Sequence, residues 1–190
     1  GRNITHQLYG GDRTTRIEQE IVLGVGGVRA LEELQLKPTV WHINEGHAAF
    51  LVLERMRALA GRGLGLDAAL ECVAANTVFT THTPVPAGND KFPHWQIDKH
   101  LNGYWDSLGL NREAFMRVAD DQGSFGITPL ALRMSSKADG VSELHGRVSR
   151  RIFAPLFPRW PEAEVPVSHV TNAVHVPSWD SPWADHLWTE

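Results

Sequence analysis

Short β-branched or aromatic runs, each followed by a helix-periodic stretch, recur along this chain and constrain its fold more than any other feature. Residues 39–43, 77–81, 138–142 and 165–170 read as strands. Helical spacing marks residues 16–36, 48–59, 66–75, 96–108, 112–119, 129–134 and 143–153. Gly61 and Gly63 stop the second of these helices, and Asn76 is a C-cap type behind the third. Strands alternating with helices predict βα units, hence an α/β domain built on a Rossmann-like parallel sheet with flanking helices. Gly24, Gly26 and Gly27 lie inside the first helical pattern and follow no strand. They therefore read as a helix-packing surface, not a nucleotide loop.

Composition narrows the class further. The 190 residues are 42% hydrophobic and 21% charged, as expected of a globular domain with its own core. A net charge of −4 with no basic cluster gives no electrostatic footprint for nucleic acid, and no apolar run reaches membrane-spanning length. The single cysteine, Cys72, has no intrachain partner and is expected to be a buried thiol, in keeping with a reducing compartment. The chain opens without an initiator Met and closes behind an aromatic cluster, which reads as an internal piece of a longer protein.

In open α/β sheets ligands bind beyond the carboxyl ends of the strands, so the residues after each predicted strand carry the functional argument. They are Asn44-Glu45-Gly46-His47, His82-Thr83, Ser142-Glu143-Leu144-His145 and Thr171-Asn172. Taken singly, Asn44, Ser142 and Asn172 are also good N-cap types. Taken together, four polar strand ends point to a site for a polyhydroxylated ligand, with the Trp and Phe residues of the second half available to stack on sugar faces. A zinc reading fails. His42 and His47 are five residues apart, off one helix face, and Gly46 between them marks a turn. No serine, cysteine or lysine nucleophile is evident, because Ser142 lacks the second flanking glycine of a nucleophile elbow.

Five segments resemble, in order, the bacterial α-glucan (glycogen/maltodextrin) phosphorylases. They are Leu8-Tyr9-Gly10-Gly11-Asp12, Trp41-His42-Ile43-Asn44-Glu45-Gly46-His47, Thr80-Thr81-His82-Thr83-Pro84, Ala138-Asp139-Gly140-Val141-Ser142-Glu143-Leu144-His145 and Val170-Thr171-Asn172. The resemblance implies a two-domain GT-B glycosyltransferase fold. Residues 1–170 would be the later part of its N-terminal, glucan-side domain, and residues 171–190 the start of the crossover into a C-terminal cofactor domain. It implies phosphorolysis of α-1,4-glucans by inorganic phosphate, releasing α-glucose 1-phosphate with retained configuration, in a cytoplasmic homo-oligomeric enzyme that uses pyridoxal phosphate bound by that other domain.

By motif position, His82 and Asp12 look catalytic, the first against the reacting glucose and the second in a gating loop. Asn172, Glu45, His47 and Thr83 match positions that line the sugar, and His145 has a counterpart whose role is either structural or functional. Ala173 stands where the family usually has glycine, and Arg13 stands where many members have an amide. Lys37, Lys91, Lys99 and Lys137 all fall outside the family's cofactor-lysine motif. A stand-alone carbohydrate-binding or regulatory module derived from a phosphorylase, and a different GT-B transferase, are the rival readings.

Overall fold

A computed structural model describes residues 3–7, 12–85 and 88–189. Four of the five residues of the Leu8–Asp12 motif lie outside the described residues; Asp12 is within them. Helix α1 (Arg13–Ile21), a π-helical turn (Val22–Gly26) and helix α2 (Gly27–Glu33) run on as one continuous helix. The π turn is where the sequence places its glycines. A Cβ on Gly24 would lie 2.8 Å from both Leu51 N and Phe50 Cβ, so this glycine lets the first helix touch α3 (Phe50–Ala60). Gly26 and Gly27 meet nothing within 4 Å, so the packing explanation holds for Gly24 alone. Gln35, at φ +57°, turns the chain out of α2, with Leu36 N–H bonded to Leu31 C=O and Gln35 N–H to Glu32 C=O, a Schellman closure ahead of Pro38.

The expected parallel sheet is present. Its strands are β1 (Trp41–Asn44), β2 (Thr77–Thr81), β6 (Lys137–Gly140) and β7 (Ser168–His169), all parallel and in the order β1-β2-β6-β7. Strand β1 starts two residues later than its β-branched run because Asn76 captures that run's first residue: its side chain donates to Thr39 C=O. Helices α3 and α4 (Leu66–Ala75) join β1 to β2, and α8 (Glu143–Phe153) joins β6 to β7.

Between β2 and β6 the chain makes an unanticipated three-stranded antiparallel sheet, in the order β3-β5-β4, from β3 (Lys91–Phe92), β4 (Asp120–Asp121) and β5 (Ser124–Gly126). The β4–β5 turn has positive φ at both Gln122 and Gly123, the geometry usually announced by Asn-Gly, and glutamine disguises it. The helix expected over 96–108 is split. It becomes α5 (His94–Leu101) and a 3-10 turn (Trp105–Leu108), because Gly103 takes φ +75°. Helices α6 (Arg112–Val118) and α7 (Ile127–Arg133) lie close to their expected places. Two short helices, α9 (Val176–Trp179) and α10 (Pro182–Thr189), end the described chain.

The core gathers Ile43, Phe79, Phe50, Leu53, Phe115 and Phe125, with Phe50, Phe115 and Phe125 stacked in a row. Along the central strands Ile43, Phe79 and Ala138 are buried, whereas His42, Asn44 and Lys137 on the other face are exposed. A parallel sheet is ordinarily covered on both faces. This one has an open face, crossed by hydrogen bonds from His42 to Thr80 at 2.7 Å and from Thr80 to Asp139 at 2.9 Å. His42 is thus hydrogen-bonded while exposed. Cys72 corrects the expectation of a buried thiol: α4 buries Ala69 and Val73, and the thiol lies on its exposed side.

Candidate active site

The carboxyl ends of the parallel strands bring the candidate residues to one edge of the sheet, as the topology requires. Register does most of this. Asn44 pairs with Thr80, and Thr80 with Asp139, so the exits of β1, β2 and β6 lie side by side. Glu45 and His82 meet there although they are 37 residues apart: Glu45 Oε1 accepts the His82 backbone N–H and lies 3.5 Å from His82 Nδ1. Thr83 follows, its side chain packed where a Cβ on Gly88 would otherwise be.

His47 points elsewhere. Its Nδ1 accepts from Arg16 Nη2 at 2.6 Å, which makes the ring a neutral acceptor on that side. Burial and the Arg16 cation lower its pKa, against weaker opposing effects from Asp90 and Glu45. Arg16 also binds Asp90 Oδ2 at 3.2 Å and lies 3.2 Å from Glu20 Oε1. Glu20, His47 and Asp90 bring ligand-type atoms within 4.8 Å of one another, and the Arg16 guanidinium is the cation that approaches all three. A cavity of about 300 Å³ opens beside them, lined by Thr5, Arg16, Gln19, Glu20, Leu23 and His47 among others.

Sequence reasoning missed Arg16, Glu20 and Asp90. The available signal was Glu20 itself, a carboxylate set in the buried stripe of Ile17, Gly24 and Val28. Neither Glu20 oxygen accepts a hydrogen bond from the described residues. Burial, with the Asp90 charge second, pushes its carboxyl up to about 9, overriding the nearby Arg16.

The remaining candidates are placed as follows. Asp12 is the N-cap of α1: its side chain accepts from Thr15 N–H at 2.9 Å and from the Thr15 hydroxyl, and the backbone bond lowers its pKa. Asn172 is exposed, its backbone N–H bonded to Val141 C=O at 3.0 Å. Among the described residues no hydrogen bond joins Asp12 or Asn172 to the Glu45–His82 pair. Ser142 is the N-cap of α8, accepting from His145 N–H, and His145 Nδ1 accepts from Val141 N–H. Positive φ outside glycine occurs, among the described residues, at Gln35, Glu45, Gln122 and Arg159. Ala173, which stands where the family usually has glycine, is not among them and carries no positive-φ strain.

Against known proteins, no family model matches the chain. It is 45% identical over 195 aligned positions to a glycogen phosphorylase of Mycobacterium tuberculosis, across 95% of this chain and 23% of that protein. It is 40% identical to a maltodextrin phosphorylase of Thermococcus litoralis, across 94% of this chain and 21% of that protein. A glycogen phosphorylase of Aquifex aeolicus is 34% identical across 94% of this chain and 26% of its own length. The chain is a homologue of the glycogen and maltodextrin phosphorylases. This phosphorylase homologue spans about a quarter of the length of the curated relatives it matches. Its likeness to them takes in β1, β2, β6, β7 and the polar exits between them.

Proposed function

We propose that this chain forms the later part of the glucan-side domain of a retaining α-glucan phosphorylase with a GT-B fold. Inorganic phosphate would remove the terminal glucose of an α-1,4-glucan as α-glucose 1-phosphate. The observation that carries this reading is the Glu45–His82 pair at adjoining strand exits, in a chain related to phosphorylases over nearly its whole length. The two-domain division at residues 170/171 belongs to the same proposal. It is supported by the open sheet face and by a terminal segment exposed at Val174, Trp179, Trp183 and Trp188, both of which suit cover by further structure.

His82 would contact the reacting glucose, with its ring on the 6-hydroxyl and its carbonyl toward the developing oxocarbenium charge. Asn172, Thr83 and Glu45 would meet sugar hydroxyls, His47 would line the glucan side, and Asp12 would act in the loop that gates the cleft. The residues of this chain do not fit pyridoxal phosphate. Lys37, Lys91, Lys99 and Lys137 are all exposed, and none offers a shielded amine. The cofactor would belong to another part of the enzyme.

His82→Ala in the intact protein should lower kcat for maltodextrin phosphorolysis by roughly 10²-fold, the size typical of losing a transition-state contact. KM for maltodextrin should change little. Wild-type turnover in that variant would remove His82 from the centre of the reading.

A further inference from the structure

Glu45 holds an unusual position between the two strand exits. Its N–H continues the β1–β2 ladder by donating to Thr80 C=O at 2.9 Å. In an unbroken parallel ladder the next bond would run from His82 N–H to the Glu45 carbonyl. The backbone forgoes that bond. Glu45 turns to φ +60°, ψ −174°, a region that strains any residue with a Cβ, and its own carboxylate accepts the His82 N–H in the carbonyl's place. The same oxygen lies 3.5 Å from His82 Nδ1. The carboxylate is mostly buried while the histidine ring is half exposed, 13% against 41%. One side-chain atom therefore faces both the backbone and the ring of His82, at the cost of local strain.

We propose that Glu45 is a positioning residue for His82: by replacing a ladder carbonyl with its carboxylate, it sets where the β2 exit presents the imidazole. This rests on the phosphorylase reading for its functional consequence, and it makes the sugar contact of Glu45 secondary to its hold on His82. Strain retained at a non-glycine residue beside a candidate site is what such a role requires, since glycine would suit the backbone and lose the carboxylate.

Two variants of the intact protein test it, with maltodextrin and inorganic phosphate as substrates. Glu45→Gly keeps the turn and removes the acceptor; Glu45→Gln keeps an acceptor oxygen for the N–H. Glu45→Gly should lower kcat at least about tenfold with KM for maltodextrin within about threefold of wild type. Its Tm should stay within about 2 °C, because relief of strain offsets the lost hydrogen bond. Glu45→Gln should restore kcat to within about threefold. Amide hydrogen exchange at His82 should quicken at least about tenfold in Glu45→Gly and not in Glu45→Gln.

A tenfold rise in KM at unchanged kcat would make Glu45 a direct glucan ligand instead, and unchanged kcat would equally overturn the proposal. So would a large fall in Tm, which would mark a merely structural role. If the wild-type protein shows no phosphorolysis, the functional reading fails by itself. Exchange at His82 then still decides whether Glu45 holds that residue, and unaltered exchange in Glu45→Gly refutes it.

Discussion

The two halves of the first helix each bring charge to a buried glutamate, and the two glutamates behave oppositely. On the α1 side, Glu20 is 1% exposed and accepts no hydrogen bond from the described residues, and burial, with the Asp90 charge second, raises its carboxyl to about 9 despite Arg16 at 3.2 Å. On the α2 side, Arg29 reaches Glu54 of α3, which is 0% exposed. Burial alone would raise Glu54 too. Hydrogen bonds from Arg57, Arg29 and the Tyr104 hydroxyl overcome that penalty and bring it down to about 2. Two inaccessible glutamates thus titrate in opposite directions: burial and the Asp90 charge favour the neutral acid at Glu20, and the hydrogen bonds around Glu54 favour the ionised one. The satisfied cluster is a structural clamp between α2, α3 and the Tyr104 turn. The other lines the cavity beside His47, with Arg16 3.2 Å from Glu20 Oε1 as its one cationic neighbour among the described residues.

Glu54→Gln should break the contrast most strongly. Because Glu54 is depressed from an ordinary 4.5, its ionisation contributes stability that is present above pH 4.5 and lost as pH falls through about 2. The variant should be less stable by about 3 kcal/mol at pH 7, the difference vanishing toward pH 2. Urea denaturation of the intact protein at several pH values reads this directly.

Glu20→Gln should show the opposite sign. The raised pKa of Glu20 gives stability that is complete below pH 4.5 and declines as pH climbs through about 9. Wild type should therefore lose up to about 1.4 kcal/mol per pH unit relative to the variant across that window. Parallel pH profiles for the two proteins would show that Arg16 keeps Glu20 ionised after all.

This contrast was only half legible in the sequence. β-Branched and aromatic runs located the parallel strands, whose Ile43, Phe79 and Ala138 are buried, and helical periodicity located the helices between them. The same rule misplaced Cys72, since a helix of ten residues that buries only Ala69 and Val73 leaves most positions outside. The small antiparallel sheet escaped because its strands are two or three residues long and its turn uses Gln122. Strand ends named Glu45, His47 and His82 as candidates, but not their pairing. That depends on register, on a positive φ that glutamate rarely adopts, and on Arg16 drawing His47 toward α1. Asp12 was read as a gate residue, and the structure adds that it caps α1, a role any aspartate before a helix can fill.

The join between the two halves can be tested through its glycines. Gly24→Ala would place a Cβ 2.8 Å from Leu51 N, against backbone that has no room to yield, and should cost about 1–3 kcal/mol. It should also disturb both glutamate clusters, because the π turn sets how far α2 is rotated relative to α1. Gly27→Ala is the smallest effect and the most discriminating control. Gly27 has helical torsions, φ −60° and ψ −46°, and open space at its Cβ position. Alanine there should stabilise by about 0.5–1 kcal/mol by restricting the unfolded chain, with both pH profiles unchanged. Thermal unfolding of the two variants side by side separates the explanations. If Gly27→Ala destabilises as much as Gly24→Ala, the helix needs flexibility along the whole glycine run, and close contact with α3 is not what singles out Gly24.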